Sequence, residues 1–206
     1  RQRQMCIRDR GTETGGINLL SPKRLQTKLW TCGSADTEND APTPVNAVDE
    51  DKNGNLWVAL VERGLLKWNE DSKSCVHHLF SPNDITSVSN NTLMGILIDS
   101  DNRLWAYTWG VGINGIDLNI PNNRTFKRYT RENIPELEGD FINSACEDVI
   151  NHGIWFGSTR GVHFYDKRKD TFVRVLFDQS DNEFEAIYAL PVSYTHLRAH
   201  ETRHDL

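Results

Sequence analysis

The sequence predicts an all-β fold, an incomplete β-propeller of about three full four-stranded blades with partial blades at both ends. Three observations predict it. A pattern recurs at steps of 48 to 50 residues, in VNAVDEDKNGNLWVALVERGLLKW from Val45, LMGILIDSDNRLWAYTWGVGINGI from Leu93 and INSACEDVINHGIWFGSTRGVHFY from Ile142. The copies hold Asp51, Asp99 and Asp148 in register, then Trp57, Trp105 and Trp155, then Gly64, Gly112 and Gly161. No long stretch carries a helical period, whereas short apolar runs alternate with turn residues throughout.

Each copy reads as four strands. The first is apolar with small residues (Val45–Asp49), and Ala47, Gly95, Ser144 and Ala145 suit a crowded centre. A turn follows, as in Lys52-Asn53-Gly54-Asn55, and the aspartate before it can accept backbone N–H groups. The second strand (LWVAL, LWAYTW, GIWFGS) is a near-continuous apolar run, which predicts burial on both faces. The third follows a glycine (GLLKW, GINGI, GVHFY), and the fourth is more polar (CVHHLF, TFKRY, TFVRV). Prolines 42, 44, 82 and 135 fall between strand groups. One such unit has two apolar faces and can bury neither alone, so neighbours must stack, with the repeated tryptophan filling the gap between them. The expected organisation is a partial blade and connection at 11–44, blades at 45–92, 93–141 and 142–183, and the first strand of a further blade at 184–191, where EFEAIYAL opens another copy.

The ends lie outside this pattern. MCIRD can be written ATG TGT ATA AGA GAC followed by AG, and VSYTH can be written GTC TCT TAT ACA CAT preceded by CT. These strings are reverse complements, as a transposon-end sequencing adapter would leave. Residues 1–10 and 192–206 are therefore expected to be translated adapter rather than native protein. That reading removes His196, His200 and His204 as a metal site despite their four-residue spacing.

Between the ends stand 17 Lys+Arg and 26 Asp+Glu, a formal charge of −9. An acidic chain without basic blocks disfavours a nucleic-acid partner in this region. Cys32, Cys75 and Cys146 are far apart and without CxxC spacing, which predicts small, partly buried apolar residues and no metal site.

The repeat unit, apolar-x-x-apolar-x-x-Asp, turn, Leu/Ile-Trp, Gly-Ser/Thr-x-x-Gly corner, Gly-apolar-x-x-aromatic, resembles the two-component regulator propeller repeat. Gly157-Ser158-Thr159-Arg160-Gly161 and the run from Gly11 to Asn18 match its corner, and Leu56-Trp57 and Leu104-Trp105 match its second strand. Ala59-Leu60 and Ala106-Tyr107 replace Gly-Ser/Thr, so those two corners are expected to be built differently. The resemblance implies the periplasmic part of an inner-membrane hybrid sensor. Such sensors often respond to oligosaccharides, act as dimers and pass the signal to a histidine kinase in the full-length protein. It implies no enzyme activity for this segment and no cofactor.

Candidate chemistry is sparse. Asp49-Glu50-Asp51-Lys52-Asn53-Gly54 opens like a calcium loop, but its twelfth position is Leu60 and no helices flank it, so a turn is expected. His77 and His78 fall in a fourth strand with one ring toward solvent, His152 in a turn and His163 in a third strand, without carboxylates at ligand spacing. Ser144 and Ser158 lack a nearby His/Asp framework in sequence. Asn90-Asn91-Thr92 and Asn123-Arg124-Thr125 are read as chance sequons. The corners between second and third strands share one end with the connections between blades, where such folds bind. They carry Glu62, Arg63, Tyr107, Trp109 and Arg160, with Glu13 beside them. An aromatic plate among fixed polar groups suits a sugar ring. The alternatives are a protein-interaction scaffold, or a propeller lyase or hydrolase. Open end blades with unpaired edges predict aggregation of the isolated chain.

Overall fold

The structure is a computed structural model that describes residues 9–12, 16–20, 27–30, 43–69, 72–137 and 141–175. The expectations placed on residues 1–8 and 192–206, on Cys32, Glu13 and Pro42, and on 184–191 lie outside the described residues.

Strands β1 (Asp9–Thr12), β2 (Gly16–Leu20) and β3 (Thr27–Trp30) form a three-stranded antiparallel sheet. Three four-stranded sheets follow, each a simple meander. The first holds β4 (Val45–Glu50), β5 (Leu56–Leu60), β6 (Leu65–Asn69) and β7 (Ser74–His78). The second holds β8 (Leu93–Ile98), β9 (Arg103–Thr108), β10 (Ile113–Asp117) and β11 (Lys127–Tyr129). The third holds β12 (Ile142–Asp148), β13 (Gly153–Ser158), β14 (Gly161–Asp166) and β15 (Thr171–Val175). The first strands neighbour one another: β8 packs against β4 on one side and β12 on the other. The sheets therefore fan outward from their leading strands.

The aspartate of each repeat fixes its first hairpin. Asp51 accepts N–H bonds from Asn53 (2.9 Å) and Asn55 (3.0 Å), the Asn55 side-chain amide (2.8 Å) and the Trp57 indole (3.0 Å). Asp99 accepts from Asp101, Arg103 and the Trp105 indole, and Asp148 from Asn151 and the Trp155 indole, each indole bond again 3.0 Å. The backbone bonds were expected from the turn sequence. The indole bonds were not, and they explain why Asp and Trp recur together: the carboxylate aims the ring.

The aimed rings build the interfaces. Trp57, Ala59 and Leu65 pack on Ile96, Ile98, Leu104, Ala106, Ile116 and Phe126 of the second sheet. Trp105, Tyr107, Ile113 and Tyr129 pack in turn on Ile142, Ile154, Phe156, Tyr165 and Phe172 of the third. Trp57 and Trp105 are 1% and 0% exposed, whereas Trp155, on the far side of the third sheet, is only partly buried. At roughly 25 cal/mol per Å², burying a ring of about 200 Å² contributes on the order of 5 kcal/mol.

Polar bridges set the stagger of neighbouring sheets. Ile98 N–H donates to Asp49 (2.7 Å), and Asn46 donates to the Leu93 carbonyl (2.7 Å). Ser100 donates through its N–H and hydroxyl to Glu147, and Lys167 lies 3.0, 2.9 and 2.7 Å from Asp99, Asp101 and Glu147. The first strand of every four-stranded sheet also carries a one-residue bulge. Asn46, Met94 and Asn143 are skipped by the pairing between Val45 and Ala47, Leu93 and Gly95, and Ile142 and Ser144.

Candidate functional site

One end of the sheets carries the β5–β6, β9–β10 and β13–β14 corners together with the connections that return to the next first strand. Each corner is tied to the residue entering its own sheet: Val61 N–H donates to Pro44, Trp109 to Thr92 and Thr159 to Phe141, at 3.1 to 3.2 Å. The strand register corrects the alignment of the middle copy by one position. Tyr107, not Ala106, stands opposite Gly95 as Gly157 stands opposite Ser144. Thr108 is thus the counterpart of Ser158, and both hydroxyls donate 3.0 Å bonds across the corner, to Gly112 O and Gly161 O. Of these three corners, the first lacks the hydroxyl, because Leu60 takes that place.

The expected site residues fall as follows. Glu62 and Arg63 are exposed at the first corner, with Glu62 at φ 61, the place that Gly110 fills at the second. Trp109 is 53% exposed at the second corner and meets Phe141 edge-to-face, with ring centroids 5.1 Å apart. The Asn90 amide donates to the Trp109 carbonyl (3.2 Å), fixing the backbone beneath the ring. Arg160 is exposed at the third corner, its N–H held by Ser158 (3.1 Å). Tyr107 is different. It is buried, its hydroxyl end occupies the space a side chain at Gly95 would need, and burial pushes its pKa up to about 12. It underlies the corner end rather than facing solvent there. Phe141, which the repeat pattern does not mark, completes the aromatic surface. Its only sequence signal is its place directly before Ile142.

Elsewhere the side chains are committed to structure. The oxygens of Asp51 are taken by four N–H donors, as a turn requires. Ser158 and His163 do come together, Oγ to Nε2 at 3.3 Å, although nothing in the sequence pattern marks a framework around Ser158. Both are 0% exposed and the hydroxyl bonds Gly161 O, so the pair is a closed internal contact. His77 is exposed, while His78 is buried, stacked on Trp57 at 5.5 Å and edge-on to Phe126 at 5.3 Å. Burial, then the charges of Arg124, Lys67 and His77, lower the His78 pKa to about 4. Among the described residues no group of three His, Cys, Asp or Glu is placed to hold a metal. One expectation is overturned: Cys75 is disulfide-bonded, not a plain buried thiol, and only Cys146 is free among the described cysteines.

Sheets of four antiparallel strands, fanned around their first strands and sealed by a tryptophan at each interface, define the architecture. The fold is that of an incomplete β-propeller. No family model and no curated protein matches the sequence. Solved structures do. The propeller resembles an extracellular domain assigned to a hybrid two component system of B. thetaiotaomicron, at 20% identity and TM-score 0.66 over 82% of this chain and 23% of that one. It also resembles PorZ, a surface component of the type-IX secretion system of Porphyromonas gingivalis, at 17% identity and TM-score 0.57 over 81% and 25%. YCF48 from Cyanidioschyzon merolae matches at 17% identity and TM-score 0.52 over 81% and 52%. The chain spans about a quarter of the length of the first two. In the propeller frame the three full sheets are blades, β4, β8 and β12 are their innermost strands, and the corner end is the face bearing Trp109.

Proposed function

We propose that this chain is a non-catalytic, ligand-sensing portion of the extracytoplasmic propeller of a hybrid two-component sensor, and that its corner face takes an oligosaccharide. The observation that carries the reading is the exposed Trp109–Phe141 pair, held over a bonded backbone on the end where the blade connections gather. A sugar ring has an apolar face for such a plate and hydroxyls for Glu62, Arg63 and Arg160 around it, with Tyr107 supporting from below. The similarity to an extracellular domain of a hybrid two component system supports the sensor assignment. The Cys75 disulfide supports an oxidising, extracytoplasmic setting, since disulfides persist there and are rare in the cytosol. Sensing requires that the ligand bind two arrangements of the sensor unequally, and a homodimer whose subunits shift relative to each other supplies them to a histidine kinase. Calorimetric titration with a panel of oligosaccharides tests the reading. Trp109→Ala should weaken the best ligand about tenfold, the equivalent of about 1.4 kcal/mol. Binding indifferent to that change would remove the site, and no binding across the panel would remove the sugar.

A second reading, a protein-interaction scaffold, draws on Leu79, Phe80 and Ile85, which are exposed in the β7–β8 connection at the same end. A protein ligand lost on Ile85→Asp but kept on Trp109→Ala would favour it.

A further inference from the structure

The connection from β7 to β8 holds a second aromatic ring at the corner end, braced from the same place as the first. Asn90 and Asn91 are consecutive residues that secure different rings. The Asn90 side-chain amide donates to the Trp109 carbonyl (3.2 Å), and its side-chain oxygen accepts the Thr92 N–H (3.0 Å). The Asn91 side-chain oxygen accepts the Phe80 N–H (2.7 Å), and the Asn91 carbonyl accepts the Gly64 N–H of the first corner (2.7 Å). One dipeptide therefore ties down Phe80, Trp109 and the corner that carries Glu62 and Arg63. The sequence marks this stretch only as a chance sequon.

Phe80 is also backed, as Trp109 is by Phe141, but by a cation. The Arg128 guanidinium lies over one side of the ring, 5.6 Å from its centroid. That guanidinium is itself fixed, donating to the carbonyls of Ser87 (2.8 Å), Asp84 (2.8 Å) and Val88 (3.2 Å) and to the Ser87 hydroxyl (2.7 Å). Ser89 N–H donates to the Asn114 side chain and Phe126 N–H to the Thr86 carbonyl, both at 2.8 Å, so the connection is bound to the second blade along its length. The ring nonetheless remains 39% exposed. An exposed ring forgoes burial, and rigid backing lowers the ordering cost of anything that binds to it. The two tethers start from adjacent Cα atoms, about 3.8 Å apart, so Phe80 and Trp109 are neighbours on one surface. We infer that Phe80 is a second sugar-binding plate, and that the corner face takes an extended oligosaccharide across Phe80 and Trp109 rather than a single sugar. This rests on the sugar reading of that face and adds a length requirement to it. A monosaccharide covers one plate only. A chain that reaches both gains the second contact without a second loss of translational freedom, so affinity rises with length until both rings are covered.

Calorimetric titration of the full chain with cello-, xylo-, malto- and manno-oligosaccharides, each from monosaccharide to hexasaccharide, tests this. In the series that binds, Phe80→Ala should weaken the hexasaccharide about tenfold and leave the shortest binding member unchanged. Trp109→Ala should weaken every length. Phe80→Trp, which keeps a plate beside Arg128, should retain the full dependence on length, and so separates loss of the ring from disturbance of the connection. Ile120→Asp, at the opposite end of the sheets, should alter no length. A hexasaccharide that responds to Trp109→Ala but not to Phe80→Ala would overturn the second plate and leave the single-plate sugar site standing. Equal weakening of all lengths by Phe80→Ala would overturn it too, by making the ring a mere support for Trp109. No binding in any series would remove both plates together.

Discussion

The carboxylate of Asp51 shows how much of a propeller blade can hang on one side chain. It satisfies two turn amides, orients an asparagine and holds a tryptophan that the next blade covers. Asp51→Ala should leave those donors unpaired and cost roughly 3–5 kcal/mol in denaturant unfolding, well above a surface substitution. His78 gives a different signature. Its folded-state pKa, about 4, lies below its ordinary 6.5, so the unfolded chain binds the proton more readily. Its share of stability is complete above pH 6.5 and is lost as pH falls toward 4, by roughly 3 kcal/mol at most. In His78→Phe, which keeps the stacking on Trp57, the fall in stability between pH 6.5 and 4 should be correspondingly shallower.

At the scale of the strand and corner, close backbone approach is what the glycines allow. Gly112 has φ 88, and a side chain there would come within 2.2 Å of the Tyr129 carbonyl. Gly161, its counterpart, has φ 126 but open space around it. Gly112→Ala should therefore cost about 3 kcal/mol or more and Gly161→Ala roughly 1–2, measured by thermal unfolding. The strands themselves were legible in the sequence because hydrophobicity and turn chemistry are local: Lys52–Asn55 closes a hairpin whatever surrounds it. The corner alignment of the middle copy is corrected by the pairing of Gly95 with Tyr107, and the same answer follows from counting two and three residues on from Trp57, Trp105 and Trp155, which gives Ala59-Leu60, Tyr107-Thr108 and Gly157-Ser158. The sequence places Tyr107 among the corner residues, but it is buried. Nothing in its neighbours announces that the missing side chain of Gly95 leaves room to bury a phenol ring.

Across the whole molecule, the blades are joined by more than apolar contact. Lys167 leaves the third blade to lie among Asp99, Asp101 and Glu147, and two of those carboxylates are nearly buried. Burial opposes its charge, but the hydrogen bonds it donates to Glu147, Asp101 and Asp99 outweigh that and hold its pKa above the usual lysine value. Its contribution is thus present below pH 10.5 and fades only above it. Lys167→Met should destabilise the chain by about 2–4 kcal/mol in denaturant unfolding, since it strands charges that no longer have a partner. Such long-range pairing is where sequence reading stops. The period foretold stacked blades, but not that a lysine would reach the turn of the preceding one, that Cys75 would be cross-linked, or that Phe141 would stand beside Trp109.

The bulge in the innermost strand of each full blade has one more consequence. Side chains alternate sides along a strand, and an extra residue restarts that alternation. Val45 and Ala47 therefore keep their places only because Asn46 sits between them unpaired. Replacing Asn46 changes one bond, but excising it would turn Val45 and the chain before it inside out. A library of single-codon deletions should find this position far less forgiving than one of point substitutions does.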